Sequence, residues 1–555
     1  MTQRDTDSAV DDVRPFGLLQ LWDAVADAVP ERECIVQGER RSTWAQVQDR
    51  TTRLGWFLTG RGFGARPGVT QEWLSPNDLV GLLLRNSPEY LEGSIGSYRA
   101  RCAPFNVNHR YRADELAYLL RDARPSAVIH HREFGPVLAQ ALALVPDLRP
   151  ALVHVEDASG AEPLPGSVPY EEALAAATPP AEPVVPSPDD VHVLYTGGTT
   201  GMPKGVIWRL RELAGSPTGI RVESLEAAGR DAPRRGWLRA FPAPPLMHGA
   251  AAWFSYGAWS RGGTLVLGED TSFDPDRALA LCRAEKVTWM AIIGDPFAQP
   301  LLRALRAGVE PPTSMSYVFS SGAALSPSAW SELDHFFPGL TLVNTLGSSE
   351  TGPQALQTSS TQTGFRAGPG TYVVSDDHTS LLGADKPGTG WLSNSGELPR
   401  GYLNDEERTA ATFRVVEGRR VSVSGDRASV DDSGEIRFLG RESTVINSGG
   451  EKVYGEEVEN VLRSLPEIDD ALVLGRPSER WGNEVVALLV ASGAELTRDD
   501  VRARCADRLA GYKLPKALAY VPALRRHENG KADYDWARTA LAELDSAAST
   551  GGRPA

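Results

Sequence analysis

The sequence predicts an α/β fold: a large N-terminal domain built on parallel sheets, followed by a small α+β C-terminal domain. Three observations predict it. Strand-like and helix-like segments alternate through the first part of the chain. A length of 555 residues exceeds what one core usually encloses. After FLGRE, Phe438 to Glu442, the pattern restarts as a compact unit.

The elements follow in order. SPNDLVGLLLRNSPEYLEGSIGSYRARCAPFNVN reads as a turn, a buried strand, a helix and a second strand at CAPFNVN. RADELAYLLRDARPSAVIHH repeats the unit, with Glu115, Leu116, Leu119 and Leu120 at helical spacing and AVIHH as the strand. Glu156 to Asp190 is rich in Pro and Ala and reads as a long connection. It delivers the strand VHVLY, Val191 to Tyr195, into TGGTTGMPKG, Thr196 to Gly205. Arg209 to Arg235 is a polar excursion of helix and loop, after which WLRAFPAPPLMHGAAAWF, GGTLVLG, VTWMAII and MSYVFSSGAALS resume the alternation. Gly352 to Gly390 reads as loops and short antiparallel strands. In the last unit EEVENVLRSL and RDDVRARCADRLA are helices, DDALVLG and EVVALLVA strands. The expected divisions are 1–440, 441–545 and a disordered tail, 546–555.

Composition excludes several classes. A hydrophobic content of 41% with 23% charged residues is that of a soluble globular protein. The net charge of -15 disfavours sequence-independent binding to nucleic acid or anionic lipid. Cys34, Cys102, Cys282 and Cys505 are scattered, without metal-like spacing, and fit a reducing compartment. The polar, acidic start is no leader peptide, and the apolar runs are far too short for a membrane span, so a cytoplasmic protein is expected.

TGGTTGMPKG concentrates glycine N–H groups, threonine hydroxyls and the cation of Lys204, all suited to a phosphate. It does not have the G-x-x-x-x-G-K-[ST] spacing, and by itself a Gly/Thr loop is as often only a loop. It resembles, however, the phosphate loop of the adenylate-forming superfamily, which includes acyl-CoA synthetases, luciferases and peptide-synthetase adenylation domains. Further matches follow in that family's order over nearly the whole chain: PPLMHGAA from Pro244, SSGAALS from Ser320, TLGSSETG from Thr345, SVSGD ending at Asp426, GRESTVINSGGEKVYGEEVE from Gly440 and NGKADY from Asn529. Each alone is weak, but six in order are specific. The flanking wording is most similar to actinobacterial-type fatty or steroid-side-chain acyl-CoA synthetases.

The resemblance implies two parallel-rich sheets plus a distorted β-barrel, with a mobile C-terminal domain. It implies a two-step reaction using ATP, Mg2+ and coenzyme A as co-substrate: a carboxylate attacks the α-phosphate of ATP, then a thiol displaces AMP. Lys531, which alone would read as a surface lysine after an Asn-Gly turn, is implied as the cation bridging carboxylate and α-phosphate. Glu350 is implied as the magnesium ligand, with Thr200; locally, SSET would also read as a helix start. Thr196, Gly197, Gly198, Thr199, Thr200 and Lys204 are implied to hold the β- and γ-phosphates. Ser321, Gly322 and Ala323 are implied to contact the adenine, and Thr345, Leu346, Gly347, Ser348 and Ser349, in the motif of the magnesium glutamate, to bind the nucleotide. Asp426 and Arg441 are implied at the ribose, and Ser448, Gly449, Gly450 and Lys452 at the thiol tunnel after domain rotation. His248, by default a core histidine, is implied at the acyl pocket, where Gly249 to Ala252 leave room for a bulky acid. No aspartate stands near it for an α-amine, which argues against an amino-acid substrate.

Departures from the family pattern cluster near the acid and acceptor: Ser443 at the hinge, Gly455 in place of proline, PQALQTSSTQTGF after Gly352, and a long Ala65 to Pro76 segment. The acceptor therefore stays open among CoA, an amine or a carrier protein, with nitrite activation for diazotisation as another alternative. A third class is a nucleotide-binding protein without turnover, against which intact Lys531, Glu350 and Asp426 argue. The oligomeric state is open, a homodimer being one arrangement. Replacing Lys531 with Ala should slow adenylation about 10²–10³-fold or more, measured as acid-dependent pyrophosphate release.

Overall fold

A computed structural model describes residues 14–198, 201–323, 325–358, 365–441, 445–448, 451–478, 482–526 and 532–550. Its strands form four sheets. The eight-stranded sheet has a parallel centre of Ala103–Asn106, Leu79–Leu83, Ala127–His131 and Ala151–Val155. Every residue of Leu79–Leu83 is buried, which explains a continuous apolar run where a half-exposed strand would alternate. Beside Ala103–Asn106, Val191–Gly198 turns back into Gly201–Arg209 as an antiparallel hairpin, and Gly401–Tyr402 pairs along its outer side.

The nine-stranded sheet repeats this plan. Thr264–Leu267, Arg239–Pro242, Trp289–Ile292, Tyr317–Ser321 and Thr341–Ser348 run parallel, and Thr341–Ser348 turns back into Gly352–Thr358 as an antiparallel hairpin. The helices Leu18–Ala28, Trp44–Gly60, Pro88–Arg99 and Gly249–Trp259 share one core with strand residues of both sheets, such as Val80, Ile129, Ala240 and Leu265. At its centre the rings of Trp22, Trp44 and Trp259 meet at 5.3 to 6.1 Å, each large ring removing apolar surface from water.

The third sheet is antiparallel and six-stranded, with Arg419–Val430 pairing Gly388–Ser395, Phe413–Val416 and Ile436–Arg441. It stands where the distorted barrel was expected. The strand Val445–Ser448 belongs instead to the fourth sheet, with Gly482–Ala491, Ile468–Ser478, Glu451–Tyr454 and Ala517–Tyr520. That sheet carries the helices Gly455–Arg463, Arg498–Cys505 and Tyr534–Thr550. The whole is a mixed α/β molecule of a large N-terminal and a smaller C-terminal domain.

Two expectations are corrected, and one local alternative is set aside. The last helix runs to Thr550, so it takes in residues 546–550 of the segment expected as a disordered tail, while 551–555 lie outside the described residues. The connection from Glu156 to Asp190 contains the short helix Tyr170–Ala176, because Tyr170, Ala173 and Leu174 bury together and the Tyr170 hydroxyl donates to Glu92 at 3.0 Å. SSET is no helix start: residues 349–351 are the turn between two paired strands. Among the described residues no helix is long and apolar enough to cross a membrane.

One buried side chain ties the first hairpin to the start of the helix at Gly249. Asn106 Nδ2 donates to Tyr195 O at 2.8 Å and to Met247 O at 2.7 Å, while its Oδ1 accepts from Tyr195 N at 2.7 Å. The near-isosteric Asn106→Leu removes both functions and leaves three backbone groups unmatched. It should destabilise the protein by about 2–4 kcal/mol, measured by urea denaturation followed through tryptophan fluorescence.

Candidate active site

The two antiparallel hairpins, one from each large sheet, meet tip to flank. Trp208 Nε1, on the returning strand of the first, donates to Ser349 O at the turn of the second at 3.0 Å. Tyr402, on the strand beside the first hairpin, donates its hydroxyl to Glu350 Oε1 at 2.8 Å. The turn itself is wound tightly. Ser348 N donates to Thr351 Oγ1 at 3.0 Å, Glu350 N donates to Ser348 Oγ at 3.2 Å, and Asn394 Nδ2 donates to Thr351 O at 2.7 Å. Gly347 is required there, since a Cβ would lie 2.2 Å from Gly352 O.

Lys204 lies half-buried in the returning strand, its Nζ 5.7 Å from the centre of the Tyr402 ring. Burial lowers its pKa first and the Arg408 charge next, while Glu350 and Asp405 act in the other direction. A cation short of counter-charge in a partly dry place is prepared for an anion. Burial and, second, the Glu350 charge raise the Tyr402 pKa, so its hydroxyl stays a donor and orients the carboxylate. Glu350 Oε2 accepts no hydrogen bond from the described residues. One hard carboxylate oxygen facing the cavity suits a magnesium ion shared with phosphates, which needs only one or two protein ligands. Among the described residues no group of three or more His, Cys, Asp or Glu could hold a metal without such help.

Lys204 and Glu350 border one cavity of about 2480 Å³. Of the residues expected at the nucleotide, Thr196, Lys204, Ser321, Gly322, Thr345, Gly347, Ser348, Ser349 and Glu350 line it. Its described lining carries eight Arg or Lys against five Asp or Glu, the reverse of the chain's net charge of -15. Asp426 is 2% exposed and sits behind the lining Ser424 and Gly425, receiving the Ser424 hydroxyl at 3.4 Å. It pairs across the third sheet with Arg441, so the two residues expected at the ribose are register partners.

Other expected residues are placed differently. Ala323 and Leu346 do not border the cavity, and Leu346 packs into the core of the third sheet. Ser448 is buried opposite Glu451, in the strand pair that also holds Lys452, away from the cavity. Gly197 and Gly198 belong to the strand Val191–Gly198. Thr199, Thr200, Gly449, Gly450 and Lys531 lie outside the described residues. On either side of Lys531, however, Arg526 and Asp533 line the cavity, and Arg526 donates to both oxygens of Asp470 at 2.8 and 2.7 Å.

The cavity continues past His248, which caps the helix Gly249–Trp259. Gly249 and Ala250 line it, but Ala251 and Ala252 are buried in the core. Gly249 lacks a side chain because a Cβ would meet Leu194 Cδ2 at 2.7 Å. Beyond them the walls are aromatic. Phe254 stacks on Phe319 at 6.0 Å, and Trp289 lies tilted against Tyr317 at 4.6 Å. Asn106, Trp208 and Tyr402 were not singled out from sequence. Asn106 stood in view within FNVN, whereas nothing local marks Trp208 or Tyr402, whose roles arise only where hairpins from different sheets touch.

Comparison with known proteins agrees with this geometry. The model of the family described as AMP-binding enzyme matches residues 22–403, and that of the AMP-binding enzyme C-terminal domain matches 457–531. The chain is 42% identical to the medium-chain acyl-CoA ligase Mig of Mycobacterium avium, over 93% of this chain and 96% of that protein. It is 35% identical to the 3-oxocholest-4-en-26-oate–CoA ligase of Rhodococcus rhodochrous, over 94% and 95%. Its fold is similar to that of the anthranilate CoA ligase AuaEII in complex with anthranoyl-AMP, with a TM-score of 0.78, 19% identity and coverage of 96% and 98%. On the family match over most of its length, the chain belongs to the AMP-binding enzymes.

Proposed function

We propose that the protein is an AMP-forming acyl-CoA ligase for a hydrophobic carboxylic acid. The observation that carries this reading is a single cavity with a cationic, carboxylate-bearing end at Lys204 and Glu350 and an aromatic arm beyond His248. A triphosphate and an apolar acid meet in such a space only if one is to react with the other. The names of the relatives at 42% and 35% identity support CoA as the acceptor.

In the first step the acid's carboxylate oxygen attacks the α-phosphorus of ATP, and the bond to the β-phosphate oxygen breaks. Pyrophosphate leaves and an acyl-adenylate remains. Lys204 and the hairpin N–H groups would hold the departing phosphates, and Lys531 would offset the charge of two anions brought together. Magnesium, held through Glu350, would supply further charge neutralisation at the phosphates. Asp426 would accept from the ribose hydroxyls, with Arg441 beside it. In the second step the thiol sulfur of CoA attacks the acyl carbon, the bond to AMP breaks, and the thiol proton passes to solvent. We take residues 1–440 and 441–545 as the two moving parts. A change of sheet between Arg441 and Val445 supports that division.

The test is acceptor dependence. With MgATP and medium-chain, steroidal or aryl acids, AMP release should rise several-fold when CoA is added, with the acyl-CoA detected by mass spectrometry. Turnover indifferent to CoA but driven by an amine would overturn the assignment. Tyr402→Phe keeps the ring beside Lys204 and removes the donor to Glu350. It should raise KM for MgATP by roughly tenfold, the worth of one charge-assisted hydrogen bond, with KM for the acid little changed.

A further inference from the structure

The aromatic arm does not end in apolar side chains. The helix Gly249–Trp259 runs along it, and residues at steps of four, Gly249, Trp253, Gly257 and then Arg261 just past the helix end, all line the cavity. His248 caps the near end. The helix is 11 residues long, about 17 Å at 1.5 Å per residue. Arg261 therefore stands a helix length away from the reacting end.

Arg261 is half-buried, its guanidinium carbon 5.6 Å from the centre of the Trp289 ring. Nη1 donates to Gly257 O at 2.6 Å and Ser260 Oγ at 3.5 Å, and Nη2 donates to Gly219 O at 2.9 Å. All three acceptors are neutral, and it forms no ion pair among the described residues. Five N–H donors meet three acceptors, which leaves donor capacity toward the cavity. The Tyr317 hydroxyl, close enough to feel the Arg261 charge, borders the same end. Burial, then the charges of Arg235 and Arg221, oppose the Arg261 cation, and only Tyr317 acts in its favour. Exposed Arg221 and Glu223 border the cavity there as well. A purely alkyl tail reaching this point would cover a cation that has only neutral acceptors among the described residues, which is costly.

We propose that Arg261 is a specificity-determining residue that selects acids bearing a hydrogen-bond acceptor oxygen, a ring ketone or a second carboxylate, at the end remote from the reacting carboxylate. The inference rests on the ligase reading and refines its substrate class.

The experiment compares kcat/KM within two matched pairs: a long α,ω-dicarboxylic acid against the monocarboxylic acid of equal length, and a steroid side-chain acid with and without its ring ketone. The wild-type protein should prefer the acceptor-bearing member of at least one pair, which also identifies the source of the oxygen. Arg261→Met should lower that preference about tenfold to a hundredfold, and Arg261→Lys should restore part of it. A wild-type preference for the plain acid in both pairs would overturn the inference, as would a ratio unmoved by Arg261→Met. If that variant does not fold, the wild-type ratios decide. Absence of turnover with every acid would refute the ligase reading itself, a different result from turnover without discrimination.

Discussion

The active cavity depends on one contact between the two large sheets. Each sheet closes its parallel run with an antiparallel hairpin, and the hairpins meet through Trp208 Nε1 on Ser349 O and the Tyr402 hydroxyl on Glu350. A parallel strand ends in a crossover, and only a hairpin leaves a tight turn projecting beyond its neighbours. The turn of the second hairpin reaches the flank of the first, and its Ser349 and Glu350 line the cavity. Trp208 is fully buried and stands edge-on to Trp253 at 5.5 Å, so the contact is also packed against the acid arm. Lys204, Glu350 and the aromatic walls of the cavity are thereby set by the same few side chains.

The electrostatics follow from that placement. An acidic surface keeps the molecule apart from other polyanions, yet the cavity reverses the sign locally. Lys204 on the first hairpin is partly desolvated, and Tyr402 on the neighbouring strand remains protonated and donates to Glu350. Oriented by Tyr402, the Glu350 carboxylate at the turn of the second hairpin would suit a divalent cation. In the smaller domain the chain leading to Lys531 starts from a firm point. Asp470 receives both Arg526 and Arg463, and Arg463 in turn bonds Glu459 at 2.8 Å in the buried face of its helix. Paired buried charges of this kind resist rearrangement because breaking one leaves the other uncompensated.

Much of this was legible beforehand. Alternating segments and turn residues located the strands at Leu79, Ala103, Ala127, Val191 and Tyr317. The ordered motifs singled out Lys204 and Glu350, which line the cavity, and Asp426 and Arg441, which pair across the third sheet. Elsewhere local signals left more than one reading open. SSET has the composition of a helix start, but cross-strand pairing with Gly352–Thr358 made it a turn. The Pro- and Ala-rich stretch before Asp190 hid a short helix that exists because Tyr170 finds Glu92.

What the sequence by itself determined is the class of chemistry, since phosphate and ribose recognition use short, contiguous stretches whose residue types and spacing carry the function. What only the tertiary structure decided is which side chains orient those stretches and where the acid arm ends. Asn106 and Tyr402 act across gaps of 52 to 141 residues and Arg261 across 42, on partners the chain brings near only by folding. Their environment, not their neighbours in sequence, gives an amide, a phenol and a guanidinium their separate tasks.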